Sequence, residues 1–383
     1  MENKILLPEI QRFIIANLKT DLHALLLKKS PFSEVSMREI VRQIKGKNTA
    51  EKKMPFLLKE NIIFPTKISL EQSSSEVAAK YKSGLISGKK FLDLTCGFGI
   101  DAYFISENFE ENILVEKNSE LVEIVEHNWK ILGKKAKFVN QDLHQFLKES
   151  SEFFDAIYLD PARRNESEKK VFLLEDLSPN VLEIQEKLMQ ISDKILLKLS
   201  PLIDLKYLIS TLKNIAEIHI VAVKNDVKEI LVLIRSKEKS EKIKIKAANL
   251  ETDEPDFQFN FNELNHSKSI YSEPEKFIFI PNSAVLKSGA FDLVSEKFGL
   301  KKLHPNTHLY TSNQIIKHFP GRVLEMKTID SQEIKKGETF NIISKNHPLK
   351  PEEIKKKYGL KDGGNQYLIF TQTEKGKIIL KSL

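Results

Sequence analysis

The residues that could do chemistry fall in one ordered series. The first group is Phe91-Leu92-Asp93-Leu94-Thr95-Cys96-Gly97-Phe98-Gly99-Ile100-Asp101. Glycines let the backbone turn sharply and let a ligand approach it closely. Backbone N–H groups in such a turn can hold polar ligand atoms. Gly97, Gly99 and Ala102 also fit the Gly-x-Gly-x-x-Ala pattern of a dinucleotide site. Asp93 before the turn and Asp101 after it speak against that, because both would repel a pyrophosphate. The same acids suit a cofactor that carries an ammonium group and a positive sulfonium, which is S-adenosylmethionine. Asp93, Gly97 and Gly99 would then hold its methionine end. Glu116 comes about 20 residues further on, where a carboxylate accepts from ribose hydroxyls. Asp142 is third, placed to accept from the adenine amino group, with Leu143 against the ring. Asp142 reads equally well as the N-cap of a helix.

The next group is Tyr158-Leu159-Asp160-Pro161-Ala162-Arg163-Arg164-Asn165. An acid that leaves a strand beside the methyl group can accept a hydrogen bond from a target amine, and Pro161 would fix the turn. Such catalysis is mostly positioning, so no strong base is required. Asp160, Pro161 and Arg163 are therefore the candidate catalytic residues. Arg163 and Arg164 also suit a phosphate-bearing substrate. Lys198, opening Lys198-Leu199-Ser200-Pro201, would line the substrate pocket from the same edge. Upstream, Glu71-Gln72-Ser73-Ser74-Ser75 offers Gln72 or Ser73 to the cofactor carboxylate, while Ser74 or Ser75 can cap the following helix.

Metal and thiol chemistry have little support. Cys96 is the single cysteine, which excludes an intrachain disulfide and a Cys-based zinc site. His304 and His308 have i, i+4 spacing, but Pro305 and Asn306 between them argue against the helix that a metal pair needs. No metal is predicted.

These residues need a scaffold. Short aliphatic runs predict strands at Lys90–Leu94, Asn112–Glu116, Ala136–Asn140, Phe154–Asp160, Lys194–Lys198, Glu217–Val223 and Glu229–Ile234. Helical stretches alternate with them, including Ser119–Leu132 and Leu177–Ile191. The last two strands are too close for a crossover helix and must form an antiparallel hairpin. The expected class is α/β: a doubly wound, mainly parallel seven-stranded sheet ending in that hairpin. The N-terminal region reads as helical, with Ser36 and Glu39 in a capping-box arrangement. Lys45–Lys53 reads as a surface turn or contact loop, and Lys237–Lys246 as a charge-rich connector. Val323–Lys327 and Thr339–Ser344 look like strands, Pro351–Tyr358 like a helix, and Asp362-Gly363-Gly364 like a turn.

The chain has 383 residues, enough for two or three domains at roughly 100–200 residues each. It shows no membrane span and no secretion signal, so the expected compartment is the cytoplasm. The net charge of +7 is compatible with a nucleic-acid partner, although a solvated lysine face is the commoner source of such a charge. Oligomeric state is not legible.

In order, Asp93-Leu-Thr-Cys-Gly-Phe-Gly-Ile-Asp101, Glu116-Lys117-Asn118, Asp142-Leu143 and Asp160-Pro-Ala-Arg-Arg-Asn165 resemble motifs I to IV of class I methyltransferases. The Glu-Gln-x-Ser-Ser segment and Pro281-Asn282-Ser283-Ala284 resemble a bacterial subgroup with a C-terminal THUMP-like domain. So does the tail from Asn346-His347-Pro348-Leu349 through Lys361-Asp362-Gly363-Gly364. The resemblance implies an S-adenosylmethionine-dependent enzyme that N-methylates a base in RNA, either tRNA or rRNA. It adds Thr95, Cys96, Lys117 and Asn118 to the expected cofactor site. It divides the chain into a helical region (1–66), a cofactor-binding domain (67–236), a small α+β, ferredoxin-like linker domain (237–320) and a basic THUMP-like domain (321–383). One departure stands out. Base-amine methyltransferases usually carry two prolines and an aromatic after the acid, and here Pro161-Ala162-Arg163 follows Asp160. A flipped base would need Tyr158, Phe98 or another ring to stack on. The other readings are a non-catalytic cofactor- or RNA-binding protein, and a methyltransferase of a small molecule or protein.

Overall fold

The computed structural model describes residues 4–66, 70–71, 73–163, 173–237 and 242–383, with the side chain of Arg163 also outside the description. The N-terminal helices are α1 (Pro8–Ala16), α2 (Leu22–Leu26) and α3 (Met37–Lys53). Ser36 and Glu39 form the expected capping box at the start of α3. The lysine-rich stretch 45–53 is not a turn or loop but the second half of this helix. Ile44, Gly46 and Ala50 continue its buried face, and a Cβ at Gly46 would lie 2.2 Å from the Phe64 ring. The lysines diluted that pattern in the sequence.

The sheet that follows alternates with helices: α4 (Glu76–Ser83), β1 (Lys90–Asp93), α5 (Ile100–Ile105), β2 (Glu111–Glu116), α6 (Ser119–Ile131), β3 (Lys137–Asn140), α7 (Leu143–Glu149) and β4 (Phe154–Leu159). Two short strands, β5 (Ala162–Arg163) and β6 (Leu177–Ser178), pair antiparallel with each other. Then come α8 (Val181–Ile191), β7 (Ser192–Leu199), α9 (Leu205–Thr211), β8 (Ile215–Val223) and β9 (Asp226–Arg235). Strands β1, β2, β3, β4 and β7 are parallel. Helices cover both faces of such a sheet, so its strands read as near-continuous apolar runs. Phe91, Leu92, Ala156, Ile157, Ile195 and Leu196 are fully buried. The β8–β9 hairpin closes through Lys224 and Asn225, whose φ values of 49° and 66° fit a type I′ turn.

The sheet does not end at the hairpin. Two further strands, β10 (Lys244–Leu250) and β11 (Phe257–Asn260), extend it to nine, in the order β11-β10-β8-β9-β7-β4-β1-β2-β3. The expected connector at 237–246 thus runs into a strand. Its lysines hide a period of two: Ile245 and Ala247 are buried, whereas Lys244 is exposed.

The chain partitions into two compact units, Met1–Ile215 with Leu231–Lys239, and Ala216–Ile230 with Ser240–Leu383. The second unit carries β12 (Ile270–Tyr271), β13 (Phe277–Pro281), α10 (Ser283–Lys287), α11 (Phe291–Phe298), β14 (Lys301–His304), β15 (Thr307–Ser312) and β16 (Gly321–Ile329). It continues with β17 (Thr339–Ser344), α12 (Pro351–Tyr358), β18 (Lys361–Thr373) and β19 (Gly376–Ser382). These strands form a single eight-stranded sheet, β12-β14-β15-β13-β16-β19-β18-β17, which crosses residue 320 without a break through the antiparallel β13–β16 pair. The expected turn at 362–364 lies inside β18, where the register with β17 shifts between Phe340 and Asn341. His304 and His308 flank the tip of the β14–β15 hairpin. Among the described residues, no cluster of three or more His, Cys, Asp or Glu is arranged to hold a metal ion. No described helix is long and apolar enough to cross a membrane.

The Pro281-Asn282-Ser283-Ala284 turn has a structural explanation. Buried Asn282 accepts from Val285 N at 3.0 Å and donates to Glu254 at 2.8 Å. Asn249 donates to the same Glu254 oxygen at 2.8 Å and accepts from Asn225 N at 2.8 Å. Asn225 in turn accepts from Ser283 N at 2.7 Å. Removing one member strands buried partners, so Asn282→Ala is expected to destabilise the protein by about 1–3 kcal/mol, measured by urea denaturation.

Candidate functional site

The order β4-β1-β2 makes β1 a topological switch point, where successive connections leave in opposite directions. Ligands of open α/β sheets bind beyond the carboxyl ends of the strands at such a point. Asp93 ends β1 and Glu116 ends β2, while Asp160 follows β4 and Lys198 is the second-last residue of β7. The fold therefore gathers on one sheet edge groups that are far apart in sequence.

The glycine turn is held from three sides. Asp93 accepts from Thr95 N at 2.8 Å. The Thr95 hydroxyl accepts from Asp160 N at 2.7 Å, tying the turn to the end of β4. Glu116 accepts from Gly97 N at 3.0 Å and from Asn118 N at 2.9 Å. A carboxylate has about four acceptor sites, so Glu116 keeps acceptor capacity for hydroxyl groups. Gly97 and Gly99 both lie in the left-handed region, with φ of 54° and 71°. They differ in surroundings. A Cβ at Gly97 meets nothing nearer than 3.7 Å, whereas one at Gly99 would lie 2.8 Å from Val125 and 3.0 Å from the Trp129 indole. Gly97→Ala is expected to cost about 1–2 kcal/mol from backbone strain alone. Gly99→Ala adds overpacking of about 1–3 kcal/mol. Paired thermal denaturation curves should rank them in that order.

Asp101 is the hub of a buried network. It accepts from the Tyr158 hydroxyl at 2.7 Å and from Ser74 at 2.8 Å. Lys82 Nζ lies 3.1 Å from its other oxygen, and Lys198 Nζ lies 3.8 Å away. Lys198 also donates to Asp160 at 2.5 Å. Burial pushes the Asp101 carboxyl up, but Lys82, Lys198, Tyr158 and Ser74 outweigh it and hold the group below its usual value. Asp93 behaves oppositely. Burial pushes it well above the carboxylate range, and Asp101, Asp160 and Glu116 push further against the opposing Thr95 N–H. The edge thus gathers four acids, Asp93, Asp101, Glu116 and Asp160, against two cations, Lys82 and Lys198.

The expected site residues are distributed as follows. Asp93 is 1% exposed, so it braces the turn and sets its field rather than opening onto the surface. Cys96 is buried, and burial pushes its thiol up, so it is no nucleophile. Lys117 and Asn118 are exposed, and Asn118 caps α6 through Leu121 N. Asp142 caps α7 through His144 N at 2.9 Å, which occupies one carboxylate oxygen and leaves the second to accept elsewhere. Leu143 beside it is half-buried. Ser73 is half-buried, Ser74 faces Asp101, and Ser75 caps α4. Gln72, Arg164 and the Arg163 side chain lie outside the described residues. Lys198 is engaged by Asp160 and Asp101. Tyr158 and Phe98 are both buried, so neither offers a face to a flipped base. Sequence reasoning missed Lys82. It is 0% exposed and shares a helix face with buried Ala78 and Ala79. A lysine on the apolar stripe of the helix leading to an acidic turn was the available signal.

Known proteins resemble this chain in sequence and fold. Residues 41–195 match the family described as conserved hypothetical protein 95, residues 277–320 a ferredoxin-like domain, and residues 322–381 a THUMP domain-like family. A crystal structure of a "putative methyltransferase" from Porphyromonas gingivalis W83 matches with 31% identity and a TM-score of 0.86, over 99% of this chain and 98% of that one. The chain belongs to the methyltransferases with a THUMP-like C-terminal domain. This methyltransferase also shares 32% identity over 89 residues with an uncharacterized RNA methyltransferase of Mycoplasma mobile. That match covers 23% of this chain and 24% of the relative's length.

Proposed function

We propose that this methyltransferase uses S-adenosylmethionine to N-methylate a base in RNA, either tRNA or rRNA. The observation that carries the cofactor reading is the acidic edge around the glycine turn, with Glu116 bonded to Gly97 N–H and retaining acceptor capacity. When bound, the cofactor supplies an activated methyl group. Asp93, Gly97 and Gly99 would shape the pocket for its methionine end, Glu116 would accept from ribose hydroxyls, and Asp142 with Leu143 would take the adenine. Asp160 would accept a hydrogen bond from the target amine and so orient its lone pair. Thr95 would hold Asp160 in register with the turn through the bond to its N–H.

The RNA reading draws on the net positive charge, the THUMP-like match at residues 322–381 and the partial likeness to an RNA methyltransferase. The proposed division of labour is chemistry in residues 67–236 and substrate capture by the flanking 1–66, 237–320 and 321–383 segments. Burial of Tyr158 and Phe98, the two rings expected to stack on a flipped base, favours one second reading, a small-molecule or protein acceptor at the same cofactor site. Mass spectrometry of RNA nucleosides from a deletion strain and its parent separates the two. Loss of one methylated nucleoside that returns on complementation supports RNA. An unchanged nucleoside profile sinks the RNA reading and leaves the cofactor reading standing.

A further inference from the structure

A cleft lies among the N-terminal helices of the first unit, with a volume of about 820 Å³. Arg12, Lys19, Lys47, Lys52 and Lys59 line it, against two acids, Glu51 and Glu60. Ile15, Leu18 and Leu58 supply an apolar floor, and Ile15 and Leu58 are exposed large aliphatics. The volume falls within the roughly 300–1,000 Å³ of ordinary ligand pockets.

Among the described residues, the cleft cations lack close carboxylates. Two other cations of α3 are paired: Arg42 lies 3.0 Å from Glu120, and Lys45 lies 3.6 Å from Glu71. Among the described residues, none of the five cleft cations has a carboxylate within 4.0 Å. Lys47 is half-buried, and burial holds its ammonium below the usual value despite Glu60. A partly buried cation without a close counter-ion is unfavourable until an anion arrives. Repeated anions joined by flat faces that can lie on an aliphatic floor are the chemistry of single-stranded nucleic acid.

We infer that the α1–α3 cleft, with Arg12, Lys47 and Lys52 as its phosphate contacts, binds a single-stranded segment of the RNA substrate. This rests on the RNA reading above and adds a capture site that no family match assigns. Arg42 and Lys45 anchor α3 to residues beside the cofactor edge: Glu120 opens α6 just after Glu116, and Glu71 precedes the serine segment. RNA held in the cleft is therefore held on the helix that braces that edge.

The test uses the full-length protein and a 5′-fluorescein-labelled single-stranded RNA of about 16 nucleotides, the upper end of single-module site sizes. Fluorescence anisotropy is read across a salt series. Arg12→Gln/Lys47→Gln/Lys52→Gln should weaken binding by roughly tenfold or more and flatten the log K against log salt slope by about 2. The charge-conserving Arg12→Lys/Lys47→Arg/Lys52→Arg variant should restore both. Calorimetry with S-adenosylmethionine should give the same affinity in all three proteins, which reports an intact fold. Unchanged RNA binding by the glutamine variant overturns the cleft assignment and leaves the RNA reading intact. Absence of RNA binding by the wild type overturns both. Polyglutamate binding that matches RNA and is lost in the glutamine variant would make an acidic protein segment the occupant, and the assignment fails.

Discussion

Asp160→Ala lowers turnover on the order of 100-fold, because a misplaced acceptor loses orientation that costs about that much. That corresponds to about 2.7 kcal/mol of transition-state stabilisation. Affinity for S-adenosylmethionine stays within about threefold, since the lost interaction acts on the acceptor and not on the cofactor. The fold tolerates the change. Without Asp160, Lys198 still has Asp101 at 3.8 Å, so no buried ammonium is left alone. The backbone N–H of residue 160 still reaches the Thr95 hydroxyl, because that bond does not use the side chain. Asp160→Asn keeps an accepting oxygen and should retain much more activity than alanine. Steady-state kinetics with isothermal calorimetry on the same preparations gives both quantities. Equal loss of cofactor affinity and turnover in the alanine variant would mean that Asp160 holds the cofactor and that the acceptor role is misassigned.

Lys82→Met carries the largest expected stability effect. Lys82 is fully buried, and its close carboxylate is Asp101 at 3.1 Å. Breaking a buried pair by removing one partner costs about 3–5 kcal/mol. The double variant Lys82→Met/Asp101→Asn removes both charges and should recover most of that. The pH dependence has a definite sign. In the wild type, the folded state holds Asp101 below its usual value, so this group contributes stability above the unfolded carboxylate range that is lost as pH falls. In Lys82→Met one of the cations that lower the group is gone while burial still raises it, so its contribution to stability above the unfolded carboxylate range shrinks. The difference between wild type and variant is therefore widest near neutrality and narrows towards acid pH. Urea denaturation at a series of pH values measures it, and a constant difference would show that Lys82 acts through packing alone.

Both predictions depend on residues whose legibility in the sequence differed. Asp160, Glu116 and Asp93 were visible because parallel strands buried on both faces read as apolar runs, and an acid where the run stops marks the sheet edge. The helix caps at Ser36, Ser75 and Asp142 were local signals and fell where such side chains cap. Lys82 was obscure because its partner lies on a different element, and nothing in α4 announces a carboxylate across from it. The Lys198–Asp160 pair was invisible for the same reason. Each residue was placed on the correct edge, but their mutual contact depends on the β4–β7 register. Strand β10 and the second half of α3 were masked by lysines set between apolar positions. In both, the apolar period survives once the charged face is set aside. The continuity of the C-terminal sheet could not be read at all, because the β13–β16 pair joins residues about forty apart whose register no local pattern records.

Calorimetric titration of S-adenosylmethionine into the wild type and Glu116→Ala tests the central claim most directly. The wild type should bind one equivalent. Glu116→Ala should bind at least about tenfold more weakly, because it removes a charge-assisted acceptor worth roughly 1.5–3 kcal/mol and releases the Gly97 N–H that shapes the turn. No binding by the wild type, or equal binding by Glu116→Ala, would contradict the account.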